Sequence, residues 1–409
     1  MKKRIVITGL GVVCPAGIGK NEFWNNIESG KNNINSITRF DTSDVPVKLA
    51  GEVNNFVATE FLNARWVKKS DRFSHFAFAA TKLAIEDSKL DLQNEDAGRI
   101  GVSIGNNVGG WELGERGLYE LYRDGSSYLN PYQASAWFPA AAQGIISIVL
   151  GVKGISKTTV ADRASGMMAI GLAMRMIATG QADIMITGGT EAPLSQYSTL
   201  VYYSSGQLSE EADRAKAYTP FNKGAKGIVM SEGSGIVILE EYEHAVKRGA
   251  HIYGELLGYA TCTDYVSKSG KVEETLSKAI LNAMKNAGVM PPDIDYICAD
   301  GGATDEEALL ETNAIKIALK DRASQIPISV PKSMFGHLYG GASPVDLIST
   351  LMAMENNAIP PTINFVSSAD GCDLDYTPNV SSKCNIENAL INSRSYDGIN
   401  ASIIVRKFK

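Results

Sequence analysis

Short runs of β-branched and aliphatic residues alternate along the chain with longer stretches whose apolar positions recur every three or four residues. The runs "RIVITG" (4–9), "RIGVSIG" (99–105), "ADIMITGG" (182–189), "SGIVILEE" (234–241), "YICADG" (296–301) and "NASIIVRK" (400–407) read as strands. Several are apolar throughout, the pattern of strands covered on both faces. The stretches 75–88, 163–179, 272–288 and 306–320 carry the helical period. This alternation predicts an α/β fold of layered sheets and helices. "SGIVILEEYEHAVKRGAHIYGELLGYAT" passes from strand through a charged helix into a new strand, with no Ser/Gly/Pro-rich linker nearby. Two fused halves, 1–250 and 251–409, are expected to meet there. The polar stretch 203–227 reads as a long surface loop.

The helix predicted at 163–179 is apolar nearly all round (Met167, Met168, Ile170, Leu172, Met174, Met176), so it belongs to the interior. Its methionines read as core filler, with a plastic wall for a bound chain as the alternative. Arg163 then sets a full positive charge where this buried helix begins. The backbone there already carries partial positive charge, and a second cation typically costs about 0.3–1 kcal/mol.

At 409 residues the chain exceeds the size of one growing core, in keeping with two halves. A net charge of −6 and a pI near 5.5 exclude a nucleic-acid scaffold, which would be basic. Five scattered cysteines without a CxxC pair point to reduced thiols and a cytoplasmic setting. Four histidines, none in an HxxxH or HExxH spacing, argue against a metal site. The start "MKKRIVITGLGVVC" faintly mimics an export signal, but Gly9 and Gly11 break its apolar run, and a first strand is the better reading. No stretch has the roughly 18 consecutive apolar residues of a membrane span.

Five stretches carry a family resemblance: "RIVITGLGVVCPAGIG", "GQADIMITGGTEAPLS", "TPFNKGAKGIVMSEGSGIVILEEYEHAVKRGA", "PKSMFGHLYGGASPVDLI" and "IPPTINF". Together, and in order, they make the sequence resemble the β-ketoacyl-acyl carrier protein synthases of type II systems along essentially its whole length. The resemblance implies a thiolase-like five-layer αβαβα fold of two similar halves, and dimers. It also implies a cysteine nucleophile at the N-terminus of a buried helix, two histidines and a lysine for malonyl decarboxylation, and a backbone oxyanion hole. No cofactor is expected.

Set against those motifs, the chain departs at the chemistry. The nucleophile motif "T-A-C-x-S-G" is matched by "A-D-R-A-S-G", which puts Arg163 at the nucleophile position. The first-histidine motif "A-H-G-T-x-T" is matched by "A-D-G-G-A-T", which puts Asp300 at the histidine. Lys332 and His337 keep the lysine and second histidine of "K-S-x-x-G-H", and the oxyanion loop "G-F-G-G-T-N" has become "S-Y-D-G-I-N", with Tyr396, Asp397 and Gly398 as its remnant. A guanidinium stays protonated at any working pH and cannot take an acyl group. The site is therefore expected to be vestigial, with Arg163 and Asp300 (and Asp162) forming a buried ion pair. In the alternative, Arg163 reaches solvent and Asp300 caps a turn. Cys298, which shares a strand face with Asp300, is a weak candidate for a relocated nucleophile.

By the same resemblance Val108, Trp111, Glu112, Arg116, Gln133 and Trp137 are tunnel or interface candidates, with ordinary interface packing as the plain alternative. Arg65, Lys68, Lys69 and Arg72 form a basic cluster, either a docking patch for an acidic acyl carrier protein or a solvated helix face. The expected function is a non-catalytic chain-length factor (ketosynthase β subunit) of a type II polyketide synthase, in a heterodimer with an active ketosynthase α subunit. The alternatives are a malonyl decarboxylase or condensing enzyme with an unconventional site, and a carrier-protein-binding pseudoenzyme. Neither nucleic acid nor membrane is an expected partner.

Overall fold

The computed structural model describes residues 3–264 and 272–409, except the side chains of residues 136 and 137. Among the described residues, ten strands build the main sheet: β1 (Ile5–Cys14), β2 (Ile100–Gly105), β3 (Ser156–Thr159), β4 (Ile184–Glu191), β5 (Gly233–Glu241), β6 (Gly254–Thr263), β7 (Tyr296–Cys298), β8 (Ile328–Ser329), β9 (Asn388–Arg394) and β10 (Ile399–Lys407). An eleventh, Gly17–Ile18, folds back on β1. The first five lie in the order β1-β5-β4-β2-β3 and the second five in the order β6-β10-β9-β7-β8. Each group therefore has its first strand beside its fifth, then its fourth, second and third. The pairing directions repeat as well, two antiparallel pairs followed by two parallel ones. The groups meet where β1 pairs with β6 at Val6–Glu255 and Ile7–Gly254. The strand order repeats, although no repeat is visible in the sequence.

Six helices complete the layers: α1 (Arg72–Ser88), α2 (Ala141–Leu150), α3 (Ser165–Ala178), α4 (Val272–Ala287), α5 (Asp305–Leu319) and α6 (Ala342–Asn356). α1 packs on β1 and β5 and against α2. α4 packs on β6 and β10 and against α5. Between the two groups of strands, α3 and α6 touch each other and strands of both. The order is helices, strands, helices, strands, helices, and the middle helices are the most enclosed. α6 is buried from Ala342 through Met354, which explains a run with almost no polar face.

α3 enters the interior because its first turn is small. A Cβ on Gly166 would stand 2.5 Å from the Gly340 carbonyl oxygen, and one on Gly105 would stand 2.3 Å from the Ser165 carbonyl carbon. Any side chain at either position would force the segments apart.

Two expectations need correcting. The stretch 203–227 is not a surface loop throughout, because residues 217–222 are buried. There Phe221 stacks on Tyr376 at 4.2 Å and the Tyr218 hydroxyl donates to Gly301 O at 3.2 Å. The strand expected at 296–301 ends at Cys298, where the chain turns away and the N–H groups of Asp300 and Gly301 pass to the Glu311 carboxylate, both at 2.9 Å. Among the described residues no helix is long and apolar enough to cross a membrane.

Candidate functional site

The site is built on the turn that feeds α3. Asp162 adopts φ +48°, a left-handed conformation that Asp tolerates better than most residues. Its carboxylate accepts from Asn107 Nδ2 at 3.1 Å and from the Tyr396 N–H at 2.8 Å, which fixes the turn from two sides. The next residue, Arg163, is only 2% exposed. Its Nη2 donates to Gln207 Oε1 at 2.5 Å and its Nη1 to Glu307 Oε1 at 3.3 Å, while Nε–H has no partner. Burial works against the charge, but the carboxylates of Glu307, Asp162 and Asp300 outweigh it and hold the guanidinium protonated.

The buried ion pair therefore exists, but its partner is Glu307 rather than Asp300. Asp300 Oδ1 is taken by the Arg394 N–H at 3.0 Å, and its own N–H is tied to Glu311. Asp300 is held at the strand end, where it adds to the field around Arg163. Glu307 comes from the first turn of α5, which the Thr304 side chain caps.

Lys332 and His337 are both buried. The Lys332 ammonium donates to the Asp346 carboxylate and to Ala299 O at 3.3 Å. Burial pushes Asp346 up to about 6 even against the ammonium charge, while that charge partner keeps Lys332 protonated. His337 Nδ1 accepts the Tyr339 N–H at 3.0 Å, so the ring proton sits on Nε2, which has no partner. Burial, then the charges of Arg163 and Lys332, hold the imidazole neutral by pushing its pKa well below the usual value. The Tyr339 ring lies 5.7 Å from His337 and 4.4 Å from Tyr202, and its buried hydroxyl is also unpartnered. Nearby, burial pushes Glu191 up to about 8, so this carboxyl group is mostly neutral at pH 7 and adds little opposing charge.

The arrangement brings cations and unpartnered N–H and O–H donors together without a nucleophile. Such a set stabilises negative charge on oxygen. Cys298 offers no substitute: burial pushes its thiol far up, and a thiol that stays protonated is inert.

The remaining candidates scatter. Val108 is half-buried, and Trp111 is buried with its ring 5.7 Å from Tyr197 and 6.5 Å from Tyr202. Glu112 and Arg116 are surface residues pairing with Arg39 at 2.5 Å and Glu120 at 3.4 Å. Gln133 Nε2 donates to Leu113 O at 2.7 Å, and the Trp137 side chain lies outside the described residues. Tyr396 is half exposed and its hydroxyl donates to Ser205 O at 3.3 Å. Asp397 is exposed, and Gly398 takes φ +92° in the turn between β9 and β10. In the basic cluster Arg65 and Lys68 are exposed, and Lys69 lies 4.9 Å from the Tyr132 ring centre. Arg72 leaves the docking candidates, because its guanidinium is clamped on the buried Glu232 carboxylate at 2.8 and 2.9 Å.

Fold and site together define a thiolase-like architecture in which the charges of a buried helix start and a buried lysine both act on one buried histidine. The description "Beta-ketoacyl synthase, N-terminal domain" matches residues 2–245 and "Beta-ketoacyl synthase, C-terminal domain" matches residues 253–366. The chain belongs to the β-ketoacyl synthase family. It is 40% identical to the 3-oxoacyl-[acyl-carrier-protein] synthase 2 of Synechocystis sp. over 100% of this chain and 99% of the relative. The protein of the same name from Staphylococcus aureus (strain N315) is 37% identical with the same coverage. Among solved structures, a type II PKS acyl-carrier protein in complex with its ketosynthase bound to the hexaketide matches with TM-score 0.91 at 32% identity. The ishigamide ketosynthase/chain length factor matches with TM-score 0.93 at 28%, each over 100% of both chains.

These relatives overturn the expected function. The full-length curated relatives carry the name of a condensing enzyme, 3-oxoacyl-[acyl-carrier-protein] synthase 2, and a chain length factor appears only as a structural neighbour. The chain is therefore not assigned as a non-catalytic chain-length factor. Sequence reasoning also missed Gln207 and Glu307. Glu307 reads in sequence as one of three acidic residues opening a helix, and Gln207 sits in the stretch taken for a surface loop.

Proposed function

We propose that the chain is a carrier-protein-dependent enzyme of acyl-chain synthesis that activates a malonyl-type thioester by decarboxylation, without an acyl-enzyme at position 163. The observation that carries this reading is His337, a buried neutral imidazole whose Nε2–H has no partner. When carbon dioxide leaves a malonyl thioester, its bonding pair delocalises onto the thioester oxygen. A preorganised N–H donor in a dry site stabilises that charge far better than water does. Lys332, held protonated by Asp346, adds positive potential from behind.

The names of the relatives and the carrier-protein complex among the structural neighbours support a carrier protein as the source of the thioester. A cleft of about 740 Å³ lined by Tyr203, Gly206, Leu208 and Lys226 flanks Gln207 and is the entrance in this reading. Exposed Arg65 and Lys68 receive the acidic carrier protein, in the cytoplasm. A second family subunit packs on the face around Trp111, where Tyr119, Tyr122 and Phe138 are exposed.

The test is incubation of the purified chain with malonyl-loaded carrier protein, reading the carbon dioxide and hydrogencarbonate formed and the mass of the carrier. Conversion to the acetyl form well above the rate without protein is expected. An unchanged malonyl carrier would refute the reading.

A further inference from the structure

We infer that Arg163 is a catalytic group, its Nε–H sharing with His337 the negative charge that develops on the thioester oxygen. The inference rests on the decarboxylation reading above and assigns a role to the residue that makes this site unusual.

The support comes first from how the guanidinium is held. Its two outer nitrogens are anchored, Nη2 by Gln207 and Nη1 by Glu307, while the inner Nε–H is left without a partner in a side chain 2% exposed. Leaving a buried donor unpaired is costly, so an arrangement that secures the two outer nitrogens and spares the inner one is that of a donor awaiting an acceptor. The backbone is equally prepared. Asp162 at φ +48° is clamped by Asn107 and Tyr396, which sets the direction in which the next side chain leaves the turn.

Convergence is the second support. The segment Tyr339–Gly341 packs against the turn Asp162–Ala164, and both His337 and Tyr339 lie within electrostatic reach of the guanidinium. His337 Nε2–H and the Tyr339 hydroxyl are buried and unpartnered as well. Three unsatisfied donors, one of them charged, lie at the N-terminal end of a 14-residue helix. An anionic oxygen satisfies them together, whereas a neutral acyl chain satisfies none.

The step balances. The bond between the α-carbon and the carboxylate breaks, carbon dioxide leaves, and the bonding pair becomes the C=C bond of an enolate. The enolate oxygen carries the charge between Arg163 and His337. Water gives a proton to the α-carbon, forming the acetyl thioester, and the hydroxide left behind combines with carbon dioxide as hydrogencarbonate.

The experiment compares decarboxylation of malonyl-loaded carrier protein by the wild type, Arg163→Lys, Glu307→Gln and the double variant R163M/E307Q. The double variant removes both charges and so strands neither. Its kcat is expected to fall about 100-fold or more against E307Q, the size of losing one oxyanion donor, with KM changed less than about threefold. R163K should fall between, because it keeps the charge and loses the fork. Thermal midpoints report whether each variant is folded; if R163M/E307Q does not fold, R163K against the wild type carries the test. A kcat of R163M/E307Q (or R163K in that case) within about threefold of its parent overturns this inference and leaves the decarboxylation reading standing. A wild type that leaves malonyl-loaded carrier protein unconverted overturns both.

Discussion

Removing Glu307 should strand a cation in the interior, and the size of the effect follows from the geometry. Arg163 Nη1 and Glu307 Oε1 are 3.3 Å apart, with side chains 2% and 22% exposed. At an effective dielectric of about 20 their attraction is roughly 5 kcal/mol, an upper figure for Glu307→Ala. Glu307 keeps some contact with solvent, and Gln207 still holds the other guanidinium nitrogen. The loss should therefore be about 2–3 kcal/mol, below the roughly 3–5 kcal/mol of breaking a fully buried pair. Unfolding entropy near 2.1 cal/mol/K per residue over a chain of this length turns that into a fall in thermal midpoint of about 2–4 °C. Scanning calorimetry at one scan rate measures it. Adding Arg163→Met to the E307A background should recover most of the loss, since the uncompensated charge is then gone. An E307A variant that melts within about half a degree of the wild type, or an R163M/E307A variant that melts no higher than E307A, would contradict a stranded charge at position 163.

Other consequences can be checked in the same preparations. Glu240, fully buried, accepts from Arg248 Nε and His244 Nδ1, both at 2.8 Å. His244 is raised to about 9, chiefly by Glu240, so its contribution is complete below its unfolded value near 6.5 and is lost as pH rises through about 9. Glu240, lowered to about 2 by those bonds despite burial, contributes fully above about 4.5 and loses that as pH falls through about 2. The thermal midpoint should decline between pH 7 and about 10, and less in His244→Gln; equal slopes would contradict the assignment. Lys332→Met leaves the Asp346 carboxylate buried alone and should cost about 3–5 kcal/mol, with K332M/D346L recovering much of it in denaturant titrations. Iodoacetamide followed by peptide mass mapping should label the half-buried Cys262 and Cys384 in the native protein, and spare Cys298 and Cys14, the latter pushed up to about 12 by burial.

The architecture was largely written in the hydrophobic pattern. The six runs named from sequence fall on β1, β2, β4, β5, β7 and β10, and the four helical stretches on α1, α3, α4 and α5. Strands with a weaker signal escaped. "SKTT" in β3 is polar and sits at a sheet edge, and "NALINSR" in β9 ends in the polar residues Asn392–Arg394, which lie buried beside β10. The loop 203–227 was misjudged because its charged first half masks Tyr218 and Phe221, which are anchored by partners distant in sequence.

In the site, a cation needing a carboxylate could be foreseen from Arg163 at a buried helix start. Which carboxylate could not, because Asp300 and Glu307 lie seven residues apart and only the turn after β7 decides between them. Reading two lost catalytic side chains as the mark of a chain-length factor was the larger error. The relatives carry the name of a condensing enzyme, and the interior retains a charged lysine, a neutral histidine and unpaired donors.

The most direct measurement is the intact mass of this polypeptide, with that of its carrier protein, after incubation with malonyl-loaded and then acyl-loaded carrier. An unmodified polypeptide is expected, beside a carrier whose malonyl group has become acetyl. An acyl group covalently attached to the polypeptide, or a malonyl carrier left intact, would contradict it.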